Sequence, residues 1–194
     1  MNLNELSKAV HAANIKWWQD VETSQPIKRN KGELLALIHS EISEAYDGDE
    51  SGLFDDKLPH RRMPEVELID AAIRIFDYAA GFNHDIYQAG QKYGLSEFVD
   101  LDHLIQCAII GCLPVTVGYS DIHSQISKVL ELERKGKPSS EVAESLVVLL
   151  LHIFFMAREL DYDMQGAFTE KMAFNAQRQD HKHEARRIAG GKQF

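Results

Sequence analysis

Four carboxylates in this sequence fall into two short motifs, Glu41-x-x-Glu44 and Glu67-x-x-Asp70. Residues three apart on a helix are surface neighbours, so each motif would present a pair of carboxylates on one side. On a helical wheel Glu41 and Glu44 lie beside Leu34, Leu37 and Ala45, at the edge of the apolar face. A carboxylate placed there is costly to bury unless it is protonated or paired, and a divalent cation removes that cost. All-oxygen ligands suit hard cations such as Mg²⁺ or Mn²⁺, which keep several waters and also bind phosphate oxygens. With two cations the set could hold both an attacking water and a leaving phosphate oxygen. A ferritin-like di-iron site would need Glu-x-x-His pairs, and no His follows either motif at that spacing.

The segment carrying the second motif is apolar around most of its circumference. Val66, Leu68, Ile69, Ala71, Ala72, Ile73, Ile75, Phe76 and Ala79 leave one narrow stripe for Glu67, Asp70, Arg74 and Asp77. A helix apolar almost all round is buried, so this stripe must face the interior of the protein. It could line a site, with Arg74 a candidate phosphate ligand, or form an internal network with Arg74 between Asp70 and Asp77.

Cations cluster elsewhere in the chain. Lys171, Asn175 and Arg178 share one helix face, two cations and an amide suited to phosphate oxygens. The competing reading is a solvated helix end with cations at its C-terminus. Lys28, Arg29, Lys31, Arg61 and Arg62 lie in or beside loops and could close over phosphates. Trp17 or Trp18 could stack on a base, with Asn14 reading its edge, or could simply pack.

Between Glu41 and Asp70 there are ten acidic residues and three Lys or Arg, whereas from Lys171 onward there are six Lys or Arg and two acids. That asymmetry suits a site holding cations and phosphates together. A net charge of −9 argues against stable nucleic-acid binding. The two cysteines, Cys107 and Cys112, would point in different directions from one helix, which predicts reduced, buried thiols. No leader pattern precedes the first helix, and the longest apolar run, Leu146 to Phe155, is too short to span a bilayer. The expected location is cytoplasmic, without membrane association.

The elements that must position these residues are helices, because no alternating strand pattern occurs. Periodicity predicts helices over Leu3–Gln19, Gly32–Tyr46, Pro64–Ala80 and His84–Tyr93. A second series covers Glu97–Cys112, Ser120–Lys135, Ser139–Leu160 and Asp163–Gln179. Asp47–Met63 is one long connection, a length that points to function or disorder. The two series resemble each other. Leu37 to Glu44 matches Asp121 to Lys128, and Glu67 to Asp85 matches Ser145 to Asp163. Across the match Glu41 becomes Gln125, Glu44 becomes Lys128, Glu67 becomes Ser145 and Asp70 becomes Val148. The expectation is one all-α domain over 1–194, with a catalytic unit over about 1–95 and, over about 96–194, a scaffold unit lacking the acidic motifs together with the phosphate-binding C-terminal helix.

The acidic pair of motifs and their spacing resemble the MazG and all-α dUTPase superfamily of nucleotide pyrophosphohydrolases. The resemblance takes in Lys16-Trp17-Trp18, the run Pro26 to Glu33, Leu58 to Arg62, the Lys171/Asn175/Arg178 helix of the dimeric dUTPases, and the ending Gly190-Gly191-Lys192 of phage-type MazG-like proteins. It implies a helical bundle in which Glu41, Glu44, Glu67 and Asp70 hold Mg²⁺, with Mn²⁺ as substitute. Water activated by the metal would attack the α-phosphorus of a (deoxy)nucleoside triphosphate such as dUTP or dCTP, giving the monophosphate and pyrophosphate. Ser40 departs from the fuller Glu-Glu-x-x-Glu motif and leaves the metal count open. The resemblance also implies a homodimer or larger homo-oligomer. The alternatives are a non-catalytic regulator binding a nucleotide or a protein, and a hydrolase of an alarmone such as ppGpp.

Overall fold

A computed structural model of the chain describes residues 1–95 and 117–188, with 97, 100, 101, 103, 104 and 106 between them. Among the described residues there are eight α-helices and, apart from two isolated bridges, no β-structure. The all-α expectation holds. Cys107, Cys112 and the Gly190-Gly191-Lys192 ending lie outside the described residues.

Helix α1, Leu3–Asn14, opens with a capping box in which Asn2 and Glu5 satisfy each other's backbone N–H groups. A short 3₁₀ turn over Ile15–Trp18 ends this segment earlier than the periodicity predicts. Helix α2, Lys31–Glu50, is capped by Asn30 and runs four residues past the predicted end. Helix α3, Met63–Gly81, starts with Pro64 in its first turn, where a missing N–H is harmless. After the short α4, Ile86–Gly90, come α5, Tyr119–Arg134, and α6, Ser139–Glu159. Helix α7, Met164–Gln177, and the short α8, His183–Arg187, finish the described chain.

Helix α3 is the centre of the assembly and touches α1, α2, α6 and α7. Its apolar sides are all buried, and α2 packs on α3 as α5 packs on α6. By length and composition α6 could cross a membrane, yet 78% of its most apolar stretch is buried among the other helices. Gly81 admits the Trp18 ring against the end of α3, where a Cβ would overlap it.

The matched sequence segments fold alike at their ends. Helix α2 closes on Gly52 at φ +65° and α5 on Gly136 at φ +62°, left-handed positions that favour glycine. The following amides, of Leu53 and Lys137, donate back to Gly48 and Leu132 at 2.9 and 3.0 Å. Helices α3 and α6 are followed by Asn83 and Asp161, both at φ +57°, and then by the helix caps Asp85 and Asp163. His39 of α2 and His123 of α5, a matched pair, stack with their rings 4.9 Å apart.

The connection 51–62 is tied down by Arg61. Its guanidinium donates to Glu65 at 2.6 Å, to Glu170 at 2.8 and 2.9 Å, and to Asp163 at 3.1 Å. One side chain thereby fastens the loop to α3 and α7. Removing it would leave the buried Glu65 carboxylate without its cation, a loss on the order of 3 kcal/mol. Arg61→Ala is expected to lower the urea unfolding free energy by about that amount, and an unchanged midpoint would contradict the anchoring role.

Candidate metal and phosphate site

The polar stripe of α3 faces a cavity of about 260 Å³, as its apolar surroundings require. Glu67, Asp70, Arg74 and Asp77 all line it, in that order along the helix. Helix α2 faces them with Glu41 and Glu44, above the apolar floor of Leu34, Leu37 and Ile73. Oxygens of Glu41, Glu67 and Asp70 all lie within 4.8 Å of one another. Glu41 and Glu67 are buried, at 6% and 4% exposure. Glu44 is exposed at the rim, where its carboxylate accepts the Ser40 hydroxyl at 3.0 Å. Three of the four carboxylates therefore form the cluster, and the fourth borders it.

Such proximity is electrostatically unfavourable. Burial pushes the Glu67 carboxyl up to about 9, assisted by its hydrogen bond with Glu41 and by the charges of Asp70 and Glu41. Burial also raises Asp70, and the adjacent Lys171 partly offsets this. Lys171, only 3% exposed, places its Nζ 2.6 Å from Asp70. Arg74 turns to Glu41, with Nε at 2.6 Å, rather than bridging Asp70 and Asp77. The donor set left facing the cavity is all oxygen, which fits a hard divalent cation.

Beside the carboxylates the same cavity has a cationic wall. Lys171 and Asn175 come from the last turns of α7, and Arg178 follows its end, so the three predicted phosphate ligands share the cavity. Contact of α7 with α3 brings them there. Lys57 joins them from the connection 51–62. Burial acts to lower its pKa, but Asp56, Asp55 and Glu67 outweigh that and raise it. No spacing marks Lys57 in the sequence. It is placed because Asp55 accepts the backbone N–H groups of Lys57 and Leu58 at 2.9 and 2.6 Å.

Asn14, Trp17, Arg29 and His181 line the cavity together with Asp77. One face of Trp17 carries the Arg186 guanidinium at 4.3 Å, and His181 meets the ring edge-on at 5.0 Å. Arg29 is nearly buried, and its guanidinium donates to the Trp17 carbonyl at 2.6 Å and to Glu33 at 2.8 Å, so it supports the wall.

Five expected residues are not brought to the cavity. Trp18 is packed into the core, with Nε1 donating to both Asp77 oxygens at 3.1 Å. Lys31 turns away to Glu133, 2.6 Å distant, and lies over the Phe82 ring. Lys28 is exposed outside the cavity lining. Of the loop cations, Arg61 is consumed in its anchor and Arg62 sits over Phe54 at 5.2 Å.

At the matched junction of α5 and α6 the carboxylates are replaced by a neutral pair. Gln125 donates to the Ser145 hydroxyl at 2.9 Å and to its carbonyl at 3.0 Å. Comparison with protein-family models, curated proteins and solved structures returned no match.

The raised pKa of Glu67 has a consequence for stability. The native state holds this proton to higher pH than the unfolded chain, so stability falls as pH rises from about 4.5 towards 9. In chelator-treated protein, Glu67→Gln is expected to raise the thermal midpoint near pH 8 while leaving it almost unchanged near pH 4. Circular dichroism at the two pH values reads this, and an equal effect at both would contradict it.

Proposed function

We propose that the chain is a Mg²⁺-dependent nucleotide pyrophosphohydrolase, converting a nucleoside triphosphate into its monophosphate and pyrophosphate. The observation that carries this reading is one cavity lined both by the Glu41/Glu67/Asp70 cluster and by the cations Lys57, Lys171 and Arg178. Carboxylates alone would suit many cation sites. Beside a cationic wall, they suit a ligand whose own negative charge is shared between metal and protein, which is a polyphosphate.

Glu41, Glu67 and Asp70 would hold the cation, and Glu44 at the rim is placed to complete a second site. Bound there, Mg²⁺ would polarise phosphoryl oxygens and lower the pKa of a coordinated water. Lys171, Arg178 and Lys57 would neutralise the triphosphate, and Asn175 would supply an amide donor. Glu67, holding its proton in the absence of a cation, would release it when one binds. Trp17 and Asn14 would border the nucleoside.

We also read the pairs α2–α3 and α5–α6 as two related units, supported by their matching left-handed turns, helix caps and the stacked His39 and His123. On this reading the Gln125–Ser145 junction marks a unit that keeps the packing and has shed the chemistry.

One observation favours a second reading. Asp70 and Glu41 already carry protein cations, Lys171 and Arg74, so the cavity could bind a nucleotide without turning it over. Incubation with each NTP and dNTP, with Mg²⁺ or with chelator, separates the two. The expected result is pyrophosphate rather than phosphate, only with the metal. Asp70→Asn should lower kcat by about a hundredfold or more, as loss of several kcal/mol of charge stabilisation requires. Tight calorimetric binding without product would establish the second reading instead.

A further inference from the structure

The acidic stripe of α3 continues past the cation cluster to Asp77, a carboxylate that the reaction as described does not use. Asp77 lines the same cavity as Asp70 but sits seven residues further along the helix, a rise of about 10 Å. That is roughly the reach of a nucleoside from its 5′ phosphorus to the far edge of its base. Asn14 and Trp17, which share the lining with Asp77, are uncharged and able to contact a base.

The hydrogen bonds of Asp77 define what it can offer. His11 Nδ1 lies 2.7 Å from Oδ1, and the Trp18 indole N–H is shared between Oδ1 and Oδ2 at 3.1 Å. Among the described residues its only ion-pair partner is this histidine, and the Arg29 guanidinium in the same lining acts on it from further off. A carboxylate has about four lone-pair positions, so Oδ2 keeps capacity for one more donor. Asn14 adds a side-chain amide that spends neither its donor nor its acceptor on the described residues. An acceptor with spare capacity, held rigidly at the end of a cavity, calls for a donor from the ligand.

Bases differ at that point. Cytosine, adenine and guanine carry an exocyclic amine, whereas uracil and thymine present carbonyl oxygens on either side of a single N–H. A carboxylate accepts freely from an amine, whereas at the uracil or thymine N–H it also meets repulsion from the carbonyl oxygens on both sides. We propose that Asp77, with Asn14 from the same lining, reads the base edge and selects nucleotides whose base carries an exocyclic amine over uracil and thymine nucleotides. The proposal rests on the nucleotide reading of the cavity and sharpens it. It makes Asp77 a specificity-determining residue, separate from the cation ligands Glu67 and Asp70 on the same helix.

The test compares dCTP, dATP and dGTP with dUTP and dTTP on the full chain with Mg²⁺. The wild type is expected to favour the best amino-bearing substrate over both keto nucleotides by about tenfold or more in kcat/KM, the discrimination typical of one well-placed base contact. Asp77→Asn keeps an acceptor for Trp18 and places an amide N–H₂ in the site, so the dCTP to dUTP ratio should fall at least about tenfold. A residue that only anchored Trp18 would lower both substrates together and leave the ratio unmoved. Asn14→Ala, which removes no described contact, should reduce the same ratio should Asp77→Asn fail to fold.

Equilibrium binding of the α,β-imido analogues of dCTP and dUTP gives the preference without turnover. Equal or keto-favoring ratios in both assays would overturn the base proposal and leave the pyrophosphohydrolase reading standing. Preferential binding of the dCTP analogue without hydrolysis would do the reverse. Binding of no analogue, those of dATP and dGTP included, together with no turnover would overturn both.

Discussion

Three carboxylates inside a helical bundle, with oxygens within 4.8 Å of one another, set the terms for the rest of this structure. Burial penalises the charged forms of Glu67 and Asp70, and the charge of Glu41 penalises both again. The helices can supply such a site only if something else holds the carboxylates together. Apolar packing does so here, because α3 is buried on its other faces and its polar stripe turns to the cavity, where α2 also contributes Glu41. Glu41 then meets Glu67 and Asp70 as a result of helix packing, and the bundle's hydrophobic burial opposes the repulsion. Lys171 and Arg74 relieve part of it by direct ion pairs.

Several features away from the cavity follow from holding α3 in place. Gly81 lets Trp18 lie against its last turn, and Trp18 in turn hydrogen-bonds Asp77 on the same stripe. Arg61 fixes the connection between α2 and α3 to α7, the helix that carries Lys171 and Asn175. Loop, acidic helix and basic helix are thus joined by one guanidinium. The α5–α6 junction offers a contrast within the same chain. There a Gln–Ser hydrogen bond occupies the place of opposed carboxylates, and no counter-charge is needed.

Much of this was legible in the sequence, and the reasons are specific. The stripe on α3 could be read because apolar residues at nearly every other position force a buried helix to turn its charged residues towards an internal site. Glu41, Lys171 and Asn175 could be read because helical spacing alone sets which residues share a face, whereas Arg178 reaches the cavity from just past the helix end. Residues governed by distant partners could not. Lys31 is drawn off by Glu133 of α5, Trp18 is turned inward by Asp77, and Lys57 is aimed by its loop. The extent of α2 was also hidden. Acidic residues oppose the helix dipole near a C-terminus, so Asp47 to Glu50 read as loop. In the fold Gly48 packs closely on Met63, and the helix runs on until Gly52 closes it.

The central claim is that Glu41, Glu67 and Asp70 form a binding site for a hard divalent cation. Electron paramagnetic resonance of Mn²⁺ titrated into chelator-treated protein measures this directly, without substrate or turnover. The free-ion signal should fall as protein is added, return on addition of Mg²⁺, and persist at nearly full strength with the Glu41→Gln/Asp70→Asn double variant. An undiminished Mn²⁺ signal with the wild-type chain, or equal binding by the double variant, would contradict the account.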